Sequence, residues 1–119
     1  MENPELFSLQ QLETLSSGDT AFIIKMVETF SLTIPPIVER MKIALDKKSI
    51  PELANIAHRL KPSFYYMGRM DLNELLEIVE NGNGSRNESE ILAATNKFIV
   101  AYAPMKVAVD EHLEKLKQS

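Results

Sequence analysis

In the stretch ANIAHRLKPSFYYMG, residues 54–68, a histidine and a lysine stand three positions apart, with a proline next to the lysine. On a helix, His58 and Lys61 would share one side, one turn apart. A neutral imidazole nitrogen is nucleophilic near pH 7. An ammonium beside it offsets negative charge arriving on the ring. Such a pair could accept and carry a phosphoryl group. Other histidine chemistry finds less support. The chain has no cysteine, and its second histidine, His112, lies far away in sequence, so a metal site lacks ligands. No serine or carboxylate falls at a helical spacing that would orient His58 in a nucleophile–base–acid arrangement.

For this chemistry the ring must be reachable. At about 100° per residue, Leu53, Ile56, Leu60, Phe64 and Met67 fall within an arc of about 80°, which is the core face of the helix. His58 points about 150° away from the centre of that arc, by the same wheel. Lys61, Pro62 and Tyr65 flank it on the outer side, and Ala54, one turn back, is small enough to leave the ring accessible. Ala54, Pro62 and Tyr65 are therefore the expected contact surface for a partner. Pro62 has no N–H to give the carbonyl of His58, and an interior proline costs about 3 kcal/mol of helix stability. Because Phe64 and Met67 continue the apolar stripe, the helix is expected to bend at Pro62 rather than end there.

The elements that hold this segment are marked by capping patterns and apolar periods. Ser8 with Gln11, Ser49 with Glu52, Asp71 with Glu74 and Ser85 with Glu88 match capping boxes, and Asp19 is a further N-cap. Stops fall at Ser16-Ser17-Gly18, Lys47-Lys48, Gly68 and Asn81-Gly82-Asn83-Gly84. Between these marks, four stripes step by three or four residues. They are Ile23, Met26, Phe30, Ile34, Ile37, Met41 and Ala44; the Leu53–Met67 set; Leu72, Leu75, Leu76 and Val79; and Leu92, Thr95, Ile99, Tyr102, Met105, Val109, Leu113 and Leu116. The pattern predicts a short N-terminal helix and four longer ones over roughly 19–46, 50–67, 71–81 and 86–117. Pro35, Pro36 and Pro104 lie inside two of them, where kinks are expected. Short connections favour antiparallel neighbours, so the expected fold is all-α: an up-down four-helix bundle with a short extra N-terminal helix.

Composition bounds the rest. The 119 residues suit one domain, 1–119, with a single core. Apolar residues make up 45% and charged residues 25%, and the net charge is −4, so no basic face for nucleic acid is expected. The N-terminal MENPELFS is acidic where a signal peptide is basic. No apolar run approaches the roughly 20 residues that span a bilayer. The absence of cysteine fits a reducing compartment. A cytoplasmic protein without membrane contact is expected.

Ala57-His58-x-Leu60-Lys61-x-Ser63, followed by Gly68 ten residues after the histidine, resembles the signature of the histidine-containing phosphotransfer (HPt) domain. LSSGDTAFIIKMVETF looks like the family's approach to its second helix, and Leu72-Asn73-Glu74-Leu75 resembles the helix after the motif. The likeness covers most of residues 8 to 81; the final helix matches in pattern alone. It implies a phosphorelay carrier in two-component signal transduction, not an enzyme with kinase activity of its own. His58 would take a phosphoryl group at Nε2 from a receiver-domain aspartate and pass it to another receiver domain. Lys61 would help neutralise the group, and Gly68 would end the helix and admit a neighbouring chain. Partners would be receiver domains of response regulators or hybrid histidine kinases. They would bring the Mg²⁺, so no cofactor of its own is implied. A monomeric, stand-alone carrier is expected. One departure concerns position 62, where the family most often has glycine. The alternative is a helical interaction module of the same fold that never takes phosphate; a small enzyme using His58 as a general base fits less well, since no pocket is evident.

Overall fold

The computed structural model describes residues 6–82 and 87–118. Five helices follow one another: α1 (Gln10–Ser16), α2 (Thr20–Asp46), α3 (Ile50–Tyr66), α4 (Met70–Asn81) and α5 (Glu88–Gln118). α2 packs on α3, α3 on α4, α4 on α5 and α5 back on α2, closing a four-helix bundle with α1 against α2. The expected architecture is the observed one. Pro35, Pro36, Pro62 and Pro104 all lie inside continuous helices.

The local signals set the ends unequally. Asp19 caps α2, its Oδ1 accepting the Phe22 N–H at 3.2 Å. Ser17 (φ 54°) and Gly18 (φ 80°) make the left-handed exit from α1. The other boxes do not form as expected. Ser8 Oγ accepts from Gln10 N rather than closing a box with Gln11, and Ser49 stands at the α3 N-cap without a side-chain bond. α4 starts one residue early, after Arg69, and Asp71 pairs with that arginine instead of capping. Ser85 lies outside the described residues. α5 begins at Glu88, where Asn87 Oδ1 accepts from Glu90 N at 2.8 Å.

The core is built on Phe64. Its ring sits edge-on to Phe30 of α2 at 5.3 Å and to Phe98 of α5 at 5.1 Å, with Tyr102 at 6.0 Å. Around it Leu53, Leu60, Met41, Leu76 and Met105 are fully enclosed. In α5 the buried face is turned slightly from the expected one: Ile91 and Phe98 are buried, and Leu92, Ile99 and Leu116 only pack against the edge. α2 is long and apolar enough to cross a membrane by length and composition, which was not expected from the sequence. Its buried side chains, among them Ile23, Val27, Phe30, Ile34 and Met41, form one wall of this core, while Leu32 and Ile43 are exposed.

α2 has 27 residues against 17 for α3, so it overreaches its neighbour by roughly 15 Å. α1 and the segment before it fill the step. Leu12 is fully buried, and Phe7 is buried with its ring 5.5 Å from that of His112. The segment is tied to the α3–α4 turn: Ser8 N donates to Met67 O at 2.8 Å, and Arg69 Nη1 donates to Leu6 O at 2.7 Å.

Candidate functional site

α3 carries a row of residues along one flank, Ala54, His58, Lys61 and Tyr65, at steps of four, three and four. α4 carries a matching row, Asn73, Glu77 and Glu80. Each row lies about 90–160° round its own helix from the centre of the buried stripe. The two helices make the most extensive packing in the bundle, and these rows meet along its edge.

Glu80 is the hinge of the site. Its Oε2 meets His58 Nδ1, and its Oε1 accepts from Lys61 Nζ at 2.8 Å. Lys61 Nζ also donates to Glu77 Oε2, and Asn81 Nδ2 donates to Glu77 Oε1 at 2.8 Å. A carboxylate only accepts, so its bond to the ring places a proton on Nδ1. In the neutral ring Nε2 then holds the free lone pair. The imidazole is 74% exposed. A nucleophilic nitrogen thus stands in solvent on a ring whose orientation a neighbouring helix fixes.

The electrostatics follow from these bonds. The hydrogen bonds to Glu77 and Glu80 push the Lys61 ammonium above its ordinary range and outweigh its partial desolvation. Glu77 is held below the usual carboxylate range by Lys61 and then Asn81. Glu80 is lowered chiefly by Lys61, against desolvation, with His58 adding to the effect. Lys61, Glu77 and Glu80 therefore stay charged across neutral pH.

Three expectations change. Lys61 is not free to reach outward: its side chain is 29% exposed and shared between two carboxylates. Ala54 offers no contact surface, being only 7% exposed. It lies about 20° from Lys61 on the helix wheel, on the flank that turns toward α4. His58 does have an orienting carboxylate, supplied by α4 rather than by its own helix. The row Asn73-x-x-x-Glu77-x-x-Glu80 was the signal for it.

Pro62 is exposed and Tyr65 is 43% exposed. With His58, Lys61, Asn73 and Glu80 they line a shallow cleft. Gly68, two residues past the end of α3, has φ +74°, and a Cβ there would lie 2.8 Å from Ser8 Cβ and 3.2 Å from Ser8 O. Only glycine fits this turn without displacing the segment that crosses it. Among the described residues, no group of three His, Cys, Asp or Glu could hold a metal ion.

A family model described as Hpt domain matches residues 25–119. The match takes in the whole of α5 and leaves out α1 and the first turn of α2. No curated protein and no solved structure matches the chain.

Proposed function

The chain belongs to the Hpt domain family, a family of phosphotransfer modules in two-component signalling, and from that premise we propose that it is a phosphorelay carrier with His58 as its phosphoacceptor. Hpt domains act with the receiver domains of response regulators and carry phosphate rather than generate it. The observation that supports the specific assignment is the exposed imidazole with Nδ1 tied to Glu80, which leaves Nε2 as the unbonded ring nitrogen.

In this reading the Nε2 lone pair attacks phosphorus in the aspartyl phosphate of a receiver domain. The N–P bond forms as the P–O bond breaks, and the electron pair leaves with the aspartate carboxylate. The Nδ1 proton stays in place, and the positive charge that develops on the ring faces Glu80. The reverse step delivers the group to the aspartate of a second receiver domain, from a response regulator or a hybrid kinase. Mg²⁺ belongs to the receiver's acidic pocket, and the exchange takes place in the cytoplasm. Pro62 and Tyr65 form the rim on which the receiver settles, and the flat cleft leaves the phosphoryl group within its reach.

The test is phosphotransfer from a receiver domain charged with acetyl phosphate, read as acid-labile, alkali-stable phosphate on the carrier. Wild type and His112→Gln should take the label, and His58→Gln should take none while keeping its helical spectrum. Label retained by His58→Gln would overturn the assignment.

A further inference from the structure

Glu77 has no part in holding the histidine. It touches Lys61 and Asn81, while Glu80 alone reaches the ring. Yet it occupies the Lys61 ammonium, which shares Glu80 with the ring. Before transfer, the site holds one positive charge, Lys61, against two negative ones. Transfer adds a phosphoryl group with two negative charges at Nε2 and one positive charge on the ring. Glu80 already faces the ring. The phosphoryl group needs Lys61, and Glu77 competes for it.

We propose that Glu77 sets the direction of phosphotransfer by keeping Lys61 partly committed to α4, which raises the tendency of phospho-His58 to give its group away. This rests on the reading of His58 as phosphoacceptor and adds a residue that acts on the equilibrium rather than on the attack. Two effects point the same way. The phosphoryl group gains less from Lys61 while Glu77 shares it, and the Glu77 carboxylate itself repels the arriving dianion. Glu77 is about half exposed, so both effects are moderated by water and salt. A carrier built this way does not store phosphate; it passes it on to whichever receiver can take it.

The N–P and P–O bond changes are those of the proposed function, with no further reactant. Only the ratio of phospho-carrier to phospho-receiver at equilibrium changes. Glu77→Gln keeps the bond from Lys61 to a neutral oxygen and removes one negative charge. It should move that ratio toward phospho-His58 by about three- to tenfold at low salt, and lengthen the life of the phosphohistidine. Half-molar salt should shrink the shift to about twofold or less. In a Lys61→Ala background the same substitution should have a smaller effect, because only direct repulsion is left.

The experiment equilibrates the full chain with one acetyl-phosphate-charged receiver domain and separates the two phosphoproteins after acid-free electrophoresis. Thermal melts accompany each variant; Glu77 is exposed, and Glu77→Gln should melt close to wild type. An unshifted ratio with a labelled wild type overturns the role of Glu77 and leaves His58 standing. A shift of equal size with and without Lys61 overturns the competition for the ammonium. A wild type that takes no label removes the proposed function, and this inference with it.

Discussion

Pro62 stands in the fourth turn of α3, four residues after the histidine, and the helix runs through it to Tyr66. Replacing it with alanine restores an N–H that can donate to the His58 carbonyl and removes a ring that presses on that turn. The host–guest difference of about 3 kcal/mol is the upper limit of the gain. Exchanging a solvent partner of the His58 carbonyl for an amide N–H nets only about 1 kcal/mol. The freer unfolded chain takes back about 0.4–1 kcal/mol. A gain of roughly 1–2 kcal/mol, once part of the ring strain is counted, is the expected net for Pro62→Ala. Pro62→Gly restores the same N–H and removes the same ring, but it carries a helix penalty of about 1 kcal/mol against alanine. The expected difference between the two variants is therefore about 1 kcal/mol. It corresponds to about 4 °C in Tm for a chain of this size. Urea unfolding of wild type and both variants, with phosphate uptake measured in parallel, tests this. The expected order is alanine, then glycine, then proline, with uptake retained in all three. If Pro62→Ala were less stable than wild type, the bundle would depend on a proline-set bend, and the hydrogen-bond argument would be refuted.

Gly68→Ala should cost about 2–4 kcal/mol, from the left-handed φ and from the 2.8 Å approach to Ser8; a urea midpoint within experimental error of wild type would show that the residue 6–9 segment moves aside at no cost. Lys61→Ala should slow phosphate uptake without preventing it, since Mg²⁺ on the receiver carries much of the charge, and a wild-type rate at low salt would remove Lys61 from the transfer step. The pH profile has a defined shape. Asp71, Glu77 and Glu80 have depressed carboxylates, owing first to Arg69 for Asp71 and to Lys61 for the glutamates. Their contribution is complete above the ordinary range of 3.8 to 4.5 and is lost as pH falls through the lower folded values. Lys61 is raised, so its contribution holds up to its ordinary 10.5 and is lost only as pH rises through its folded value. Urea midpoints should be level between these limits, and Glu80→Gln should flatten the acid limb.

What the sequence disclosed depended on how much free energy stood behind each signal. Burial of Leu53, Leu60 and Phe64 carries several kcal/mol per side chain, so the core face of α3 and the outward aim of His58 were readable from spacing alone. Capping is worth about 1 kcal/mol and yields readily to competitors. Asp71 was therefore drawn off by Arg69, whose side chain is only 8% exposed. The flanks were the least legible. A residue about 90–160° from the centre of the core stripe can face solvent or a neighbour, depending on how the two helices are rotated against each other. Ala54 and Lys61 went to the covered side and His58 to the open one, although Lys61 and His58 are only about 60° apart on the wheel. No local pattern decides that. The row Asn73, Glu77, Glu80 was visible on α4, but only the packing of α4 on α3 shows that it meets His58.

This division explains how an exposed side chain can still hold a fixed geometry. Enzymes commonly orient a histidine within a dry pocket, where an unpaired carboxylate would be costly. Here the orienting carboxylate lies at a helix–helix edge, and its charge is shared with Lys61, so the bond to Nδ1 does not require a closed site. Rigidity comes instead from below. Phe64, two turns on from Ile56 on the buried face, is locked by Phe30, Phe98 and Tyr102, and it fixes the rotation of α3 to which His58 is attached. Leu76 and Val79 do the same for α4, placing Glu77 and Glu80. The chemistry is left open on one side, where a partner can close over Nε2, while two buried stripes determine what that partner finds.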